Sequence, residues 1–302
     1  MTTTTTATAP VTTKRFSRRR LIWRRFRRNR IAMIGFTVYL GLALLAVIGP
    51  RWIAQWGYTA IDRGHYLEGP SGRHWLGTTQ QGRDLLALTM RGLGKSMLIG
   101  FIVGICSTAI AATIGASAAY YRGWTERISM WLVDLLLVLP SFIVTAIVLK
   151  NVSPGSGIWL LIVFLVAFGW MLSARVIRTL TMSVRDREYV TAARYMGVPG
   201  MTIIFRHIIP NISSLLIIDA ALGIAGAVLA ETSLSFFGLG IRPPETSLGT
   251  LIGDGARMAT TFPWTFLAGA VPLVLMVLAV NFIGDGLRDA LDPTSRAGGG
   301  QA

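Results

Sequence analysis

Six predominantly apolar runs of membrane-spanning length follow one another along the chain: Ile31–Gly49, Met97–Tyr120, Ser129–Leu149, Ile158–Ile177, Ile212–Phe236 and Trp264–Ile283. A hydrocarbon layer ~30 Å thick needs about 20 helical residues, so each run predicts a membrane helix. Helix is obligatory there, because lipid offers no partner to bare backbone N–H and C=O groups. The sixth run starts just after Pro263, a residue suited to the first turn of a helix. The polar segments between the runs differ greatly in length. The longest is Pro50–Gly94, and its Trp52, Trp56 and Trp75 suit a belt at headgroup level. Another, Phe237–Thr261, is rich in Gly and Pro and is expected to hold short structured turns or a half-helix. The expected fold is all-α and polytopic, with six transmembrane helices.

Composition agrees with a membrane location. Of 302 residues, 52% are apolar and 14% charged, against about 25% charged in soluble domains, and the mean hydropathy is +0.56. The net charge is +15, and ten of the 29 basic residues lie between Lys14 and Arg30. A nucleic-acid binder is excluded as the reading of this charge, because the basic cluster abuts an apolar run with no recognition motif. Anionic headgroups are its natural neighbours. With the N-terminus inside, the segments 1–30, 121–128, 178–211 and 284–302, together with Arg175, hold 20 of the 29 basic residues. The excess of Lys and Arg therefore places both termini in the cytoplasm. Residues 1–30 are expected to form a basic cytoplasmic tail, disordered over its Thr- and Ala-rich start. Residues 31–293 then make one permease domain, with an external loop at 50–94 and a cytoplasmic loop at 178–211, and 294–302 form a flexible tail. Ser17-Arg18-Arg19 echoes a twin-arginine signal, but no small-residue cleavage site follows Gly49-Pro50, so the first helix is expected to be retained.

The cytoplasmic loop 178–211 carries the most informative pattern. Glu188-Tyr-Val-Thr-Ala192-Ala193-Arg-Tyr-Met-Gly197 reads as a short polar helix with adjacent alanines and a glycine suited to a left-handed stop. Ser183-Val-Arg-Asp186 matches capping-box spacing ahead of it. Ala192 and Ala193 would let another backbone approach closely, with Arg185, Arg187, Glu188 and Arg194 around them as a charged rim. A small apolar centre inside such a rim is a docking design. A helix lying on the membrane surface would need larger apolar residues on one face.

Ala192-Ala193-x-x-x-Gly197, followed thirteen residues later by Pro210, resembles the EAA loop of ABC-importer permeases. The glutamate stands at 188, four before Ala192, as in the peptide-importer branch. Three more stretches resemble the C-type permeases of oligopeptide and dipeptide importers: His74-Trp-Leu-Gly-Thr…Gly82-Arg-Asp84, Glu231-Thr-Ser-Leu-Ser-Phe-Phe-Gly-Leu-Gly240, and Pro243-Pro244…Leu248-Gly249. The likeness runs through residues ~20–293. It implies a type I-like ABC-importer permease in the bacterial plasma membrane, with the loop as coupling helix. It also implies a second homologous permease chain, two ATP-binding subunits beneath and an extracytoplasmic substrate-binding protein. The implied cargo is a peptide; nickel chelates, haem or a glutathione-like molecule are the alternatives within the class. ATP and magnesium would be bound by the partner subunits, with no cofactor in this chain.

No enzyme is legible. Gly94-Lys95-Ser96 resembles the end of a phosphate-binding loop, but the glycine that the pattern needs five residues before Gly94 is Thr89. His65, His74 and His207 lie in separate loops and suit local hydrogen bonding. Cys106, alone in an apolar run, reads as a small core residue. Gly100 and Gly104, and Ala111, Gly115 and Ala119, recur four apart and predict close helix packing. A stand-alone secondary transporter is disfavoured by the oversized polar loop and by the lack of an inverted repeat. Acidic residues near spans are costly and often functional; here they are Asp134, Asp219, Glu231 and Asp285. Asp219 and Glu231 are twelve residues apart and so point about 120° apart on one helix, which predicts separate sites. Both are candidates for the substrate path, with Glu231 expected to shape the outer entrance. The structural alternative is an interhelical bond or pair, with Arg175 or Arg178 as partner.

Overall fold

The computed structural model describes residues 18–150 and 157–291. Among them there is no strand, only helices, loops and one isolated bridge between Thr78 and Asp84. The expected tails 1–17 and 294–302 lie outside the described residues. In chain order the helices are α1 (Arg18–Arg28), α2 (Arg30–Trp52), α3 (Leu85–Tyr121), α4 (Gly123–Val138), α5 (Ser141–Lys150), α6 (Gly157–Gly169) and α7 (Met171–Arg185). There follow α8 (Glu188–Tyr195), α9 (Gly200–Ile203), α10 (Ile209–Phe236), α11 (Leu248–Ala256) and α12 (Pro263–Leu291), with a π-helical turn, Ile204–Ile208, joining α9 to α10. Among the described residues, five helical stretches are long and apolar enough to cross a membrane: α2, α3, α6 with α7, α9 with α10, and α12. The expected third span is not one straight helix: α4 and α5 meet at a 68° bend. Proline causes it. Pro140 has no N–H for the ladder and its ring clashes with the preceding turn, so α4 stops at Val138 and α5 starts afresh at Ser141.

Helix α3 is the axis of the bundle. It spans 37 residues, about 55 Å at 1.5 Å per residue, and reaches well beyond the hydrocarbon. It begins twelve residues earlier than the apolar run suggests, because Asp84 caps it and accepts a hydrogen bond from Ala87 N at 2.8 Å. Its first turn, Leu85–Leu88, is apolar, but Arg91 and Lys95 separate it from the run that begins at Met97. The small-residue stripe packs as expected. A Cβ on Gly104 would come within 2.8 Å of Ile224 N on α10, and one on Gly115 within 2.5 Å of Ala174 O on α7. Only glycine allows those two helices to lie against α3. Cys106 departs from expectation: it is exposed on the outer side of α3.

Within the expected basic N-terminal tail, Arg18–Arg28 forms helix α1 and packs on the bundle. Phe26 of α1 is buried beside Ala32 of α2 and Ala290 of α12. Asn29 caps α2, accepting from Ala32 N at 3.1 Å, and donates from Nδ2 to Asp289 Oδ2 of α12 at 3.1 Å. The first and last described helices therefore meet at one end of the bundle.

At the other end lies the loop between α2 and α3, held by polar contacts in place of regular structure. Buried His74 has Nδ1 2.8 Å from Asp84 Oδ2 and Nε2 3.3 Å from Asp62 Oδ2. One ring thus ties the loop to the cap of α3. Trp56 stacks on that ring and under Arg73, so it serves the loop and not a headgroup belt. Trp52 and Trp75 remain exposed. The expected half-helix in the other outer loop is α11. Its capping box pairs Ser247 Oγ with Thr250 N at 3.1 Å and Thr250 Oγ1 with Ser247 N at 2.8 Å. Glu245, just before it, reaches Arg91 at 3.1 Å and Lys95 at 3.3 Å on α3. Burial raises its carboxyl, but these two cations more than offset that and hold it below the usual carboxylate range. Lys95 is thus an ion-pair partner within a helix, and the phosphate-loop likeness has no structural counterpart.

Candidate functional site

The loop 178–211 folds as a lever fused to the bundle. Helix α7 carries on through Ser183, whose Oγ donates to Leu180 O at 2.7 Å. The anticipated Ser183–Asp186 capping box is therefore absent, and α8 starts at Glu188 behind Arg187 with no side-chain cap. The stop signal is where it was read: Gly197 has φ +76° and donates to Arg194 O at 3.0 Å. Helix α8 has two faces. Val190 and Ala193, the latter 1% exposed, enter a core formed with Ile177 and Val184 of α7, Ile203 of α9 and Ile204 and Ile208 of the π-turn. Arg187, Glu188, Ala192 and Arg194 stay exposed.

Two expected members of the docking face are corrected. Ala193 is small because the chain packs against it from within, not to admit another protein. Arg185 is buried: it donates to Ala119 O at the end of α3 at 2.8 Å and to both oxygens of Asp186, at 3.0 and 2.8 Å. It anchors the lever instead of rimming it. Those hydrogen bonds, with the charges of Arg185 and Arg194, hold the Asp186 carboxyl below its usual range despite some desolvation. Arg194 lies over the Tyr120 ring at 5.3 Å. Two residues absent from the expected set complete the outward face: Tyr195 is 87% exposed and Met196 75%. An aromatic and a flexible thioether on a small exposed surface are typical interface anchors. Tyr195 points away from Val190 and Ala193 at 100° per residue, which was the available signal; Met196 is the cap just past the end of α8. Pro210, also exposed, sits with Met201, Thr202, Phe205 and Arg206 around a groove of about 490 Å³ beside the lever.

The membrane carboxylates are separate, as their spacing predicts, and each is occupied within the chain. Asp219 on α10 accepts from Thr108 Oγ1 of α3 at 2.8 Å and from Ser173 Oγ of α7 at 2.7 Å. Glu231 is 0% exposed. It accepts from Ser96 Oγ of α3 at 3.2 Å and from Ser235 Oγ at 2.6 Å. Ser96 Oγ in turn accepts from Leu248 N at 3.3 Å, where α11 begins. Glu231 therefore joins α3, α10 and α11 from inside the bundle, and the expectation that it shapes an entrance is corrected. The anticipated interhelical arginine pair is found at Asp134, which Arg175 bonds, while Arg178 bonds Glu126; both pairs join α7 to α4 and neither involves Asp219 or Glu231. Asp285 lies within α12, not beyond it.

The fold now has an axis helix, a broken helix pair and an outward-turned lever. Residues 111–297, which hold the lever and both carboxylates, match the model of a family described as binding-protein-dependent transport system inner membrane component. The chain belongs to that family. Residues 17–70 of this permease also match a family described as the N-terminal TM domain of oligopeptide transport permease C. The permease is 53% identical over 281 residues to the oligopeptide transport system permease protein OppC of Mycobacterium tuberculosis, covering 93% of this chain and 96% of that one. The protein of the same name from Mycobacterium bovis matches equally. That of Haemophilus influenzae is 36% identical over 275 residues, covering 90% and 88%. The permease is accordingly a multi-pass component of a bacterial inner membrane transport system and not an enzyme.

Proposed function

We propose that this permease is one membrane half of an ATP-driven importer of oligopeptides. A second, homologous permease chain completes the pathway. Two ATP-binding subunits below bind ATP and magnesium and hydrolyse the nucleotide. An extracytoplasmic binding protein delivers cargo to the loops at Ile53–Asp84 and around α11. The ends of the chain and the lever face the cytoplasm, in keeping with the Lys and Arg excess of those segments. Peptide cargo rests on the names of the OppC relatives.

The observation that carries the coupling role is the two-faced α8. Its inner face is locked into the core through Val190 and Ala193, while Glu188, Ala192, Tyr195 and Met196 face outward. Force applied to the outer face is passed to α7 and α10, because a packed core shifts between discrete arrangements and does not yield continuously. A ligand or partner can switch such a body only through differential contacts in its two states. The lever in its cleft supplies that difference, and ATP-driven closure of the subunits beneath would move it.

The test is uptake of labelled peptide into vesicles containing the complete complex. Uptake that requires ATP and is abolished by Ala192→Arg, with the complex still in the membrane, supports the reading. ATP-independent uptake, or normal uptake by Ala192→Arg, contradicts it.

A further inference from the structure

The break at Pro140 leaves a cavity of about 360 Å³ between α3, α5, α6 and α10. Its walls are mostly apolar, with Phe142, Phe164 and Phe168 on one side and Gly223 and Gly226 on the other, and no charged residue lines it. A Cβ on Gly226 would meet nothing within 4 Å, so that wall is open backbone facing free space. Ser107 of α3 lines the cavity at 6% exposure, and its Oγ has no hydrogen-bond partner. A buried hydroxyl left unmet is destabilising, and native structures rarely keep one without a use. Two hydroxyls of the lining are already satisfied within their own helices: Thr145 Oγ1 donates to Ser141 O at 2.7 Å and Ser233 Oγ to Leu229 O at 2.8 Å.

The first residues of α5, Ser141 and Phe142, line the same space and bring further donors to it. Pro140 O accepts from Ile143 N and Val144 N, at 2.9 and 3.1 Å, and so opens α5. The N–H groups of Ser141 and Phe142 then begin a helix, with the turn that would accept from them bent away by 68°. A helix start in a low-dielectric cavity attracts oxygen acceptors. A full carboxylate would find no cation here and would be costly to desolvate. A neutral carbonyl is the acceptor that fits.

We propose that this cavity is a transit subsite for the main-chain carbonyl of a passing peptide. Ser107 Oγ and the first N–H groups of α5 hold the carbonyl, and the phenylalanines take the adjacent apolar side chain. The subsite replaces Asp219 and Glu231, both committed within the chain, as this half's contribution to the path. Every peptide carries such carbonyls, so the contact is indifferent to sequence and weak enough to release. The proposal rests on the peptide-import reading above.

The experiment uses proteoliposomes holding the complete transporter and its binding protein, with labelled tetra-alanine as cargo. Two variants are compared with wild type: Ser107→Ala, which removes the hydroxyl, and Gly226→Leu, whose Cβ has free space and whose side chain takes up cavity volume. Ser107→Ala is expected to slow maximal uptake about five- to tenfold, the size of one hydrogen bond, with melting temperature and stimulated ATP hydrolysis unchanged. Gly226→Leu is expected to slow it more. A tetra-alanine with its central carbonyl replaced by a poorly accepting thioamide should move slowly through wild type and no more slowly through Ser107→Ala. Normal tetra-alanine uptake by both variants overturns the subsite, and so does a loss of ATP hydrolysis parallel to uptake. No uptake by wild type overturns the peptide reading itself.

Discussion

Two adjacent alanines separate packing from docking at the level of single residues. Ala193→Arg would bury a charge among Val190, Ile203 and Ile208, which costs about 3–5 kcal/mol when no partner is supplied. It should lower expression and expose the lever to protease. Ala192→Arg leaves that core intact and should remove uptake alone; the two are told apart by limited proteolysis beside a transport assay. Gly197→Ala places a Cβ in open space but at φ +76°, a strain of about 1–2 kcal/mol. The expected result is a modest fall in melting temperature with partial coupling. Glu231→Ala strips the acceptor from Ser96 and Ser235. The permease should lose about 2 kcal/mol or more, read as a lower melting temperature in detergent, and not show an altered peptide preference. The alanine pair and the glycine were legible in the sequence as small residues at a special place. Which alanine faces inward was not, because it depends on the rotation of α8 about its axis. That rotation is set by isoleucines ten or more residues further along, at Ile203, Ile204 and Ile208.

Secondary-structure elements were legible where lipid dictates them. Runs of apolar residues must be helices, so five of the spans and the half-helix α11 could be placed before any contact was known. The breaks were not, since Pro140 lies inside an apolar run whose composition hides the bend. The start of α3 at Leu85 was missed because Arg91 and Lys95 separate its apolar first turn from the run that begins at Met97. That loop yields a pH prediction. Burial raises the Asp62 carboxyl, but the hydrogen bond from His74 and the charges of Arg73 and His65 outweigh it and hold it below its usual range. A depressed carboxyl contributes stability above its unfolded value of ~3.9 and loses it as pH falls through the folded value. Backbone hydrogen exchange of residues 60–84, corrected for the intrinsic rate, should therefore stay slow at neutral pH and quicken only as pH falls below ~4. Quickening between pH 8 and 6 would contradict this.

For the whole molecule, the design couples an outward lever to an interior cavity through α7, α3 and α10. Arg185 ties the lever to the end of α3, Ser173 and Thr108 tie α7 and α3 to Asp219, and Ser107 lies one residue before Thr108 on the same helix. A rotation of α8 thus reaches the space beside α5 through contiguous contacts. The sequence made the family and the lever readable, because four separated motifs have fixed spacing. It hid the cavity, whose lining comes from four helices and, apart from Ser233 and Leu234, from outside the four motifs.

The most direct measurement places a cysteine at Met196, in a Cys106→Ser background because Cys106 is itself exposed, and asks what it touches in the assembled complex. The account predicts a disulfide or short cross-link to an ATP-binding subunit, with an efficiency that changes between nucleotide-free and ATP-bound states. A Met196→Cys thiol that reacts only with a lipid-soluble reagent, and captures no protein in either state, would contradict it.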